Sequence, residues 1–211
     1  MNAQPVVHVI DDDGAIRDAL VLLLEAAGHT ARAHADGAQF LRDLDPIPPG
    51  EVGPGCVVAD VRMPGLSGLD VQRVLHEQRI DLPVIIITGH ADVAMAVQAL
   101  KAGAADFIEK PFDEDVLLSA VGRALDSGAR AFRERRQLDD VIARAAGLTP
   151  REREVMDLVV QGLPNKAVAV ELNISARTVE IHRSRVMEKM GAASLSDLVR
   201  MALRLEETAS V

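Results

Sequence analysis

Four short apolar stretches of this 211-residue chain each run into a residue that could do chemistry. "VVHVI" (6–10) leads to Asp11 and Asp12, "CVVAD" (56–60) ends in Asp60, "PVIIIT" (83–88) in Thr88, and "ADFIEK" (105–110) in Lys110, followed by Pro111. If the stretches lie side by side, three carboxylates, a hydroxyl and an ammonium share one rim. Converging carboxylates cannot all stay ionised without a cation. A hard divalent ion with oxygen ligands, Mg²⁺ in a cell, meets that need and also neutralises an incoming phosphoryl group. An Asp can then act as nucleophile and form an acyl phosphate, with Thr88 and Lys110 hydrogen-bonding the phosphoryl oxygens. Taken singly, each residue has a bland reading as a helix cap, a turn hydroxyl or a surface charge. Their joint occurrence at four strand ends outweighs that reading.

The four stretches are continuously apolar and are separated by helix-like segments. That pattern implies a parallel sheet covered on both faces, whose ligands bind at the carboxyl ends of the strands. "AIRDALVLLLEAAG" carries Ile16, Leu20, Leu23, Leu24 and Ala27 on one helical stripe, with Gly28 as a stop. "TARAHA" reads as a weak strand, "GAQFLRDL" as a short helix and "PIPPGEVGPG" as a loop. Further helices are expected around 67–79, 91–102 and 113–126. Asp13 lies just past the acidic rim and reads equally well as a cap of the first helix.

Charge separates two parts. Residues 1–124 carry 9 Lys+Arg against 19 Asp+Glu, net -10; residues 125–147 carry 5 against 4, net +1; residues 148–211 carry 9 against 9, net 0. Acidity confined to one part suggests two domains with different partners. Cys56 is the sole cysteine, which excludes an internal disulfide or a thiolate metal cluster. No apolar run approaches the ~20 residues of a membrane span and no signal segment opens the chain, so a cytoplasmic protein is expected. Trp and Tyr are absent and Phe numbers 4, which argues against aromatic base-stacking on single strands.

"IDDD", "ADVRMPGLSGLD", "IIITGHAD" and "FIEKPF", in order over residues about 5–125, resemble the receiver domain of bacterial two-component response regulators. The resemblance implies a flavodoxin-like, doubly wound five-stranded parallel sheet of order 2-1-3-4-5. It assigns Asp60 as phospho-acceptor, and Asp11, Asp12, Asp60 and the carbonyl of Arg62 as ligands of Mg²⁺. Thr88 and Lys110 become catalytic phosphate contacts, Thr88 and Phe107 the switch pair, and Lys110–Pro111 a cis bond. A rival enzyme reading takes "IDDDGAI" as the loop of a haloacid-dehalogenase-type phosphatase, with Asp11 as nucleophile and Asp13 as acid. Ala15 and the lack of a task for Asp60 count against it.

Beyond a charged helical linker (125–147), "LTPREREVMDLVVQG" opens with Thr149 at N-cap, Pro150 at N1 and Glu152 at N3, a capping box. Helices are expected at about 165–172, 176–189 and 195–205, with "EETASV" frayed. The tight "NIS" turn and Ser175 as N-cap suggest a helix-turn-helix. Val179, Val186 and Met190 should face the core. Arg177, Glu180, Ile181, Ser184, Arg185 and Glu188 face outward. Arg reads guanine, Glu accepts from cytosine and Ile touches a thymine methyl. Lys166, Thr178, Arg183 and Lys189 suit phosphates, and His182 the core edge. The neutral balance of this part falls short of that of a typical DNA binder; only 165–190, with 5 basic and 3 acidic residues, is locally +2.

"NKAVAVELNISARTVEIHRSRVMEKMG" and "SLSDLVRMAL" look like an all-α, four-helix LuxR-type DNA-binding domain spanning 148–211, with Val168–Ala169 where Glu-Ile is commoner. With a receiver at 1–124, the whole is similar to the NarL/FixJ family of transcription regulators, its FixJ-type branch above all. That resemblance implies an oxygen-sensing histidine kinase as phosphodonor, a homodimer on phosphorylation, promoter DNA and RNA polymerase as partners, and activation of nitrogen-fixation or microaerobic genes. The remaining alternative is a receiver whose helical domain binds protein instead of DNA.

Overall fold

A computed structural model of the chain describes residues 4–48, 52–89 and 93–209. It divides into two compact units, Met1–Glu134 and Arg135–Val211. In the first, β1 (Val6–Ile10), β2 (Thr30–His34), β3 (Gly55–Asp60), β4 (Val84–Thr88) and β5 (Asp106–Glu109) form one parallel sheet, in the expected order β2-β1-β3-β4-β5. The register pairs Ile10 with Ala59, Asp60 with Ile87 and Thr88 with Glu109, so the polar strand ends reach one edge.

The helices of this unit are α1 (Gly14–Ala26), α2 (Gly37–Leu44), α3 (Gly68–Glu77), α4 (Val93–Lys101) and the first part of α5 (Glu114–Ala146). Alternate strand residues serve two cores. Val7, Val9, Cys56, Val58, Ile85 and Ile87 pack with Leu20 and Leu24 of α1 and Leu117 and Val121 of α5. Ile10, Val57, Ala59 and Ile86 pack with Phe40, Val71, Leu75 and Ala99 of α2, α3 and α4. Cover on both faces explains runs that are apolar at every position.

Two expectations need correction. The helix expected to end near 126 and the helical linker after it are one element: α5 runs unbroken from Glu114 to Ala146. Gly128 sits inside it because a Cβ there would lie 2.3 Å from the Gly55 carbonyl oxygen; the helix rests on sheet backbone, and only glycine permits that approach. The "GHAD" positions 90–92 and loop positions 49–51 lie outside the described residues. In the second unit, α9 continues to Ala209, through four residues of the tail expected to fray.

That second unit comprises the end of α5 with α6 (Pro150–Val160), α7 (Asn165–Glu171), α8 (Ala176–Met190) and α9 (Leu195–Ala209). Val141, Val155, Val159, Val168, Val179 and Leu198 are among the side chains that close its core. Thr149 and Glu152 form the expected capping box on α6. The "NIS" turn uses Asn173 at φ 52, which Asn tolerates better than most residues, and Ser175 caps α8 by accepting from the Thr178 N–H.

One polar cluster was not foreseen. His8 and His34, 8% and 1% exposed, hydrogen-bond through Nδ1 and Nε2 at 3.1 Å, and His34 Nδ1 bonds Asp43 Oδ2 at 3.1 Å. Both rings meet Phe40 edge-on at 5.2 Å. Burial first, then the neighbouring His34 and Arg32, pulls His8 down to about 4; burial also lowers His34, against the pull of Asp43. The unfolded chain therefore binds the His8 proton near pH 6.5 and the folded chain only near 4. Stability falls as pH drops through that window, by about 3 kcal/mol for His8 alone. Melting temperatures of the wild type should decline from pH 6.5 to 4, and the decline should be shallower in His8→Phe.

Candidate functional site

The four strand ends do meet. Asp11 follows β1, Asp60 and Thr88 end β3 and β4, and Lys110 follows β5. Lys110 Nζ donates to Asp11 Oδ2 at 2.8 Å and to Asp60 Oδ1 at 2.9 Å. The other oxygens are also held: Asp11 Oδ1 accepts from the Asp13 N–H at 3.0 Å, and Asp60 Oδ2 from the Arg62 N–H at 2.6 Å. Both carboxylates are buried, Asp11 at 1% and Asp60 at 7% exposure. Burial works against the Lys110 charge, yet the hydrogen bonds to Asp11 and Asp60 prevail and hold it above the ordinary lysine value. It stays an ammonium.

Thr88 is fully buried, and its carbonyl accepts from the Lys110 N–H at 2.8 Å. Lys110–Pro111 is cis. Phe107 is half-buried against the α2–α3–α4 core. Asp12 is exposed beside Asp11. Asp13 is the N-cap of α1, its carboxylate accepting from the Ala15 and Ile16 N–H groups; this decides between its two readings.

Two neighbours of the rim escaped the sequence reading. Arg17 Nη1 donates to the Asp11 carbonyl at 2.7 Å. Gly68 opens α3 where a Cβ would lie 2.6 Å from the Asp60 carbonyl oxygen. Gly68 lay in plain view in "GLSGLD", but nothing local says which backbone it must approach.

As a donor set, Asp11 and Asp60 fit a hard cation: the converging groups are carboxylate oxygens, and two carboxylates against one ammonium leave an excess negative charge. Among the described residues, however, no three Asp, Glu, His or Cys side chains form a ready-made cation cage. Lys110 occupies the space between the two buried carboxylates, and Asp12 stands out toward water.

On α8 the faces divide as expected. Val179, Val186 and Met190 are buried, while Arg177, Glu180, Ile181, Ser184, Arg185 and Glu188 are exposed, as is Lys166 on α7. Arg177 and Arg185 have no hydrogen-bond or ion-pair partner among the described residues. His182 is half-buried, with a buried Nδ1 that finds no partner among them. Thr178 and Arg183 are partly engaged: the Thr178 hydroxyl bonds Ser175 Oγ at 2.8 Å, and Arg183 Nη1 donates to Asn165 Oδ1 at 3.0 Å.

Lys189, expected as a phosphate contact, is engaged within the fold. Its ammonium donates to Glu152 Oε2 at 2.6 Å and to the Gly147 carbonyl at 3.2 Å, so it ties the end of α8 to the capping box of α6. The Lys189 hydrogen bond first, then that of the Thr149 N–H, pulls Glu152 down to about 2. With the folded value below the unfolded 4.5, this contribution to stability is whole above pH 4.5 and disappears as pH falls through about 2. Glu152→Gln should flatten the acid limb of the unit's melting curve. Lys189→Ala should move the Glu152 carboxyl titration, followed by NMR, back toward 4.5.

Comparison with known proteins assigns each of the two units to a family. Residues 7–122 match the response regulator receiver domain, and residues 146–202 match the bacterial regulatory proteins of the luxR family. The chain is similar to the transcriptional regulatory protein FixJ of Azorhizobium caulinodans, 48% identical over 93% of this chain and 91% of that one. It is 42% identical to the response regulator protein TmoT of Ectopseudomonas mendocina, over 99% and 93% of the two chains. Among solved structures, the response regulator StyR superposes with a TM-score of 0.83 at 38% identity, covering 96% of this chain and 100% of that one.

Fold and site together define a two-component response regulator, a transcription regulator and not an enzyme. The chain belongs to the FixJ-like regulators that join a receiver to a LuxR-type DNA-binding domain. The phosphatase alternative falls with that assignment: Asp13, its required acid, is spent as a helix cap. No helix among the described residues is long and apolar enough to cross a membrane.

Proposed function

We propose that Asp60 accepts a phosphoryl group from the phosphohistidine of a sensor kinase, and that this switches a cytoplasmic monomer to a DNA-binding homodimer. The observation that carries the reading is the pair of hydrogen bonds joining Lys110 to Asp60 and Asp11 in a buried rim. A carboxylate oxygen of Asp60 attacks phosphorus, a P–O bond forms, the P–N bond to the kinase imidazole breaks, and the released imidazole takes a proton from solvent. Lys110 and Thr88 meet the phosphoryl oxygens. Asp11, Asp12, Asp60 and the Arg62 carbonyl are the residues that would hold Mg²⁺, which when bound neutralises part of the phosphoryl charge.

The phosphoryl group adds roughly -1.5 to -2 charges. Drawing Thr88 toward it and reorienting Phe107 would remodel the α4–β5–α5 surface. That surface suits self-association: Val93, Val97 and Leu100 recur at helical spacing on α4 and are 83%, 44% and 51% exposed. Pairing makes the second DNA contact effectively intramolecular. Arg177, Glu180, Ile181, Ser184 and Arg185 would face the major groove, with Lys166, Thr178 and Arg183 on phosphates and Lys189 held back by Glu152. The division into receiver (1–124), linker (125–147) and DNA-binding domain (148–211) belongs to the same proposal.

The proposal extends, as the resemblance of the motifs to FixJ-type regulators implies, to nitrogen-fixation or microaerobic promoters as targets, an oxygen-responsive kinase as donor and RNA polymerase as a further partner. Selection of bound DNA from a random pool, with and without acetyl phosphate, tests the whole scheme. An inverted repeat with half-sites about one helical turn apart, enriched only with the phosphodonor, is the expected outcome. Enrichment of no sequence under either condition would favour a protein-binding role for the helical domain.

A further inference from the structure

Within the second unit, the last turns of α5 and α8 are joined by hydrogen bonds that run both ways. Arg144 Nη1 of α5 donates to the carbonyl of Met190, the final residue of α8, at 3.0 Å. In return, Lys189 of α8 donates to the carbonyl of Gly147, one residue past α5, at 3.2 Å. The last carbonyls of a helix have no donor within it and carry its negative dipole end. Here each helix supplies the cation that covers the terminus of the other. Gly191 leaves the guanidinium its seat, since a Cβ there would lie 2.6 Å from Arg144 Nη1.

The helix held in this way carries the exposed Arg177, Glu180, Ile181, Ser184 and Arg185. Hydrogen bonds to base edges weaken steeply outside a narrow range of distance and angle, so the tilt of α8 matters as much as its side chains. Its buried Val179, Val186 and Met190 choose the side that faces the core, but apolar packing is non-directional and leaves tilt loosely fixed. Directional ties complete the placement: Arg183 to Asn165 of α7 at 3.0 Å, and the paired bonds to α5 at the far end.

We infer that the paired helix ends form a clamp that sets the tilt of α8, and that Arg144 is a positioning residue for base readout. It acts through α8 and does not touch DNA. The inference rests on α8 being the base-reading helix.

The full chain, treated with acetyl phosphate, is titrated onto the operator selected from the random pool and onto unrelated DNA of equal length, over a series of salt concentrations. Arg144→Met keeps the apolar stem and loses the donor. It should lower operator affinity by about tenfold per half-site, the size of losing one base contact. Binding to unrelated DNA and the salt slope should stay at wild-type values, because both report phosphate contacts. Lys189→Met, which removes the reciprocal bond, should act in the same direction, and Arg144→Lys should recover most of the loss. Arg153→Met is the control for general destabilisation. Arg153 Nη2 donates to the Ala145 carbonyl at 2.6 Å, so its loss unfastens the same turn of α5 from α6 and should preserve operator preference. Undiminished preference in Arg144→Met, a salt slope lower by about one, or an equal loss in Arg153→Met would overturn the clamp. A wild type that prefers no sequence would remove the base-reading role of α8 first, and the clamp with it.

Discussion

Asp60→Asn is expected to take up no phosphoryl group from acetyl phosphate, where the wild type gains an acid-stable, base-labile adduct on that side chain. The substitution is nearly isosteric and keeps an oxygen for the Lys110 ammonium or the Arg62 N–H, so the fold should survive it. What is lost is the charged nucleophile. If pairing of two reading heads supplies the avidity, operator affinity in the presence of donor should fall by about 10²–10⁴-fold relative to the phosphorylated wild type. Mass spectrometry of the intact protein, sedimentation and a gel shift on one sample separate the steps. Donor-dependent dimerisation persisting in Asp60→Asn would sink the proposed route.

Arg185→Ala should weaken binding to the selected operator by about 1–3 kcal/mol per half-site and relax the base preference at one position. Arg185 is exposed and has no hydrogen-bond or ion-pair partner among the described residues, so helix α8 should be unaffected and circular dichroism unchanged. Lys166→Ala is the contrast. It should weaken every sequence alike and reduce the salt slope by about one. A variant of Arg185 that keeps the full base preference would remove that residue from the reading face.

Much of the rim was legible because each element declares itself locally. A continuous apolar run ending in Asp or Thr needs only the parallel-sheet rule to be placed, and four such runs at the expected edge left little freedom. Asp13 was undecidable for the opposite reason: a carboxylate one residue past a strand serves a cap and a metal pocket equally well, and only the Ala15 and Ile16 N–H groups settle it.

What stayed hidden depends on contacts distant in sequence. Lys189 looked like a phosphate ligand because it lies on a helix with basic neighbours; its partner Glu152 is 37 residues away. The His8–His34–Asp43 chain joins two strands and a helix, and neither histidine has any local mark of burial. The unbroken α5 was misdivided because the shift from apolar to charged composition reads as a boundary, although nothing in the backbone chemistry stops the helix there.

The contact of Gly128 with Gly55 has a consequence for anyone diversifying this chain. A Cβ on Gly55 would in turn stand 2.3 Å from the Val6 carbonyl oxygen, so three backbone segments are stacked with no room for a methyl group. Random mutagenesis should therefore show a cold spot at these two glycines, far from any chemistry, as severe as at the acidic rim. Screens that equate intolerance with activity would mark it falsely as functional. Here a depleted codon would report a seam in the architecture.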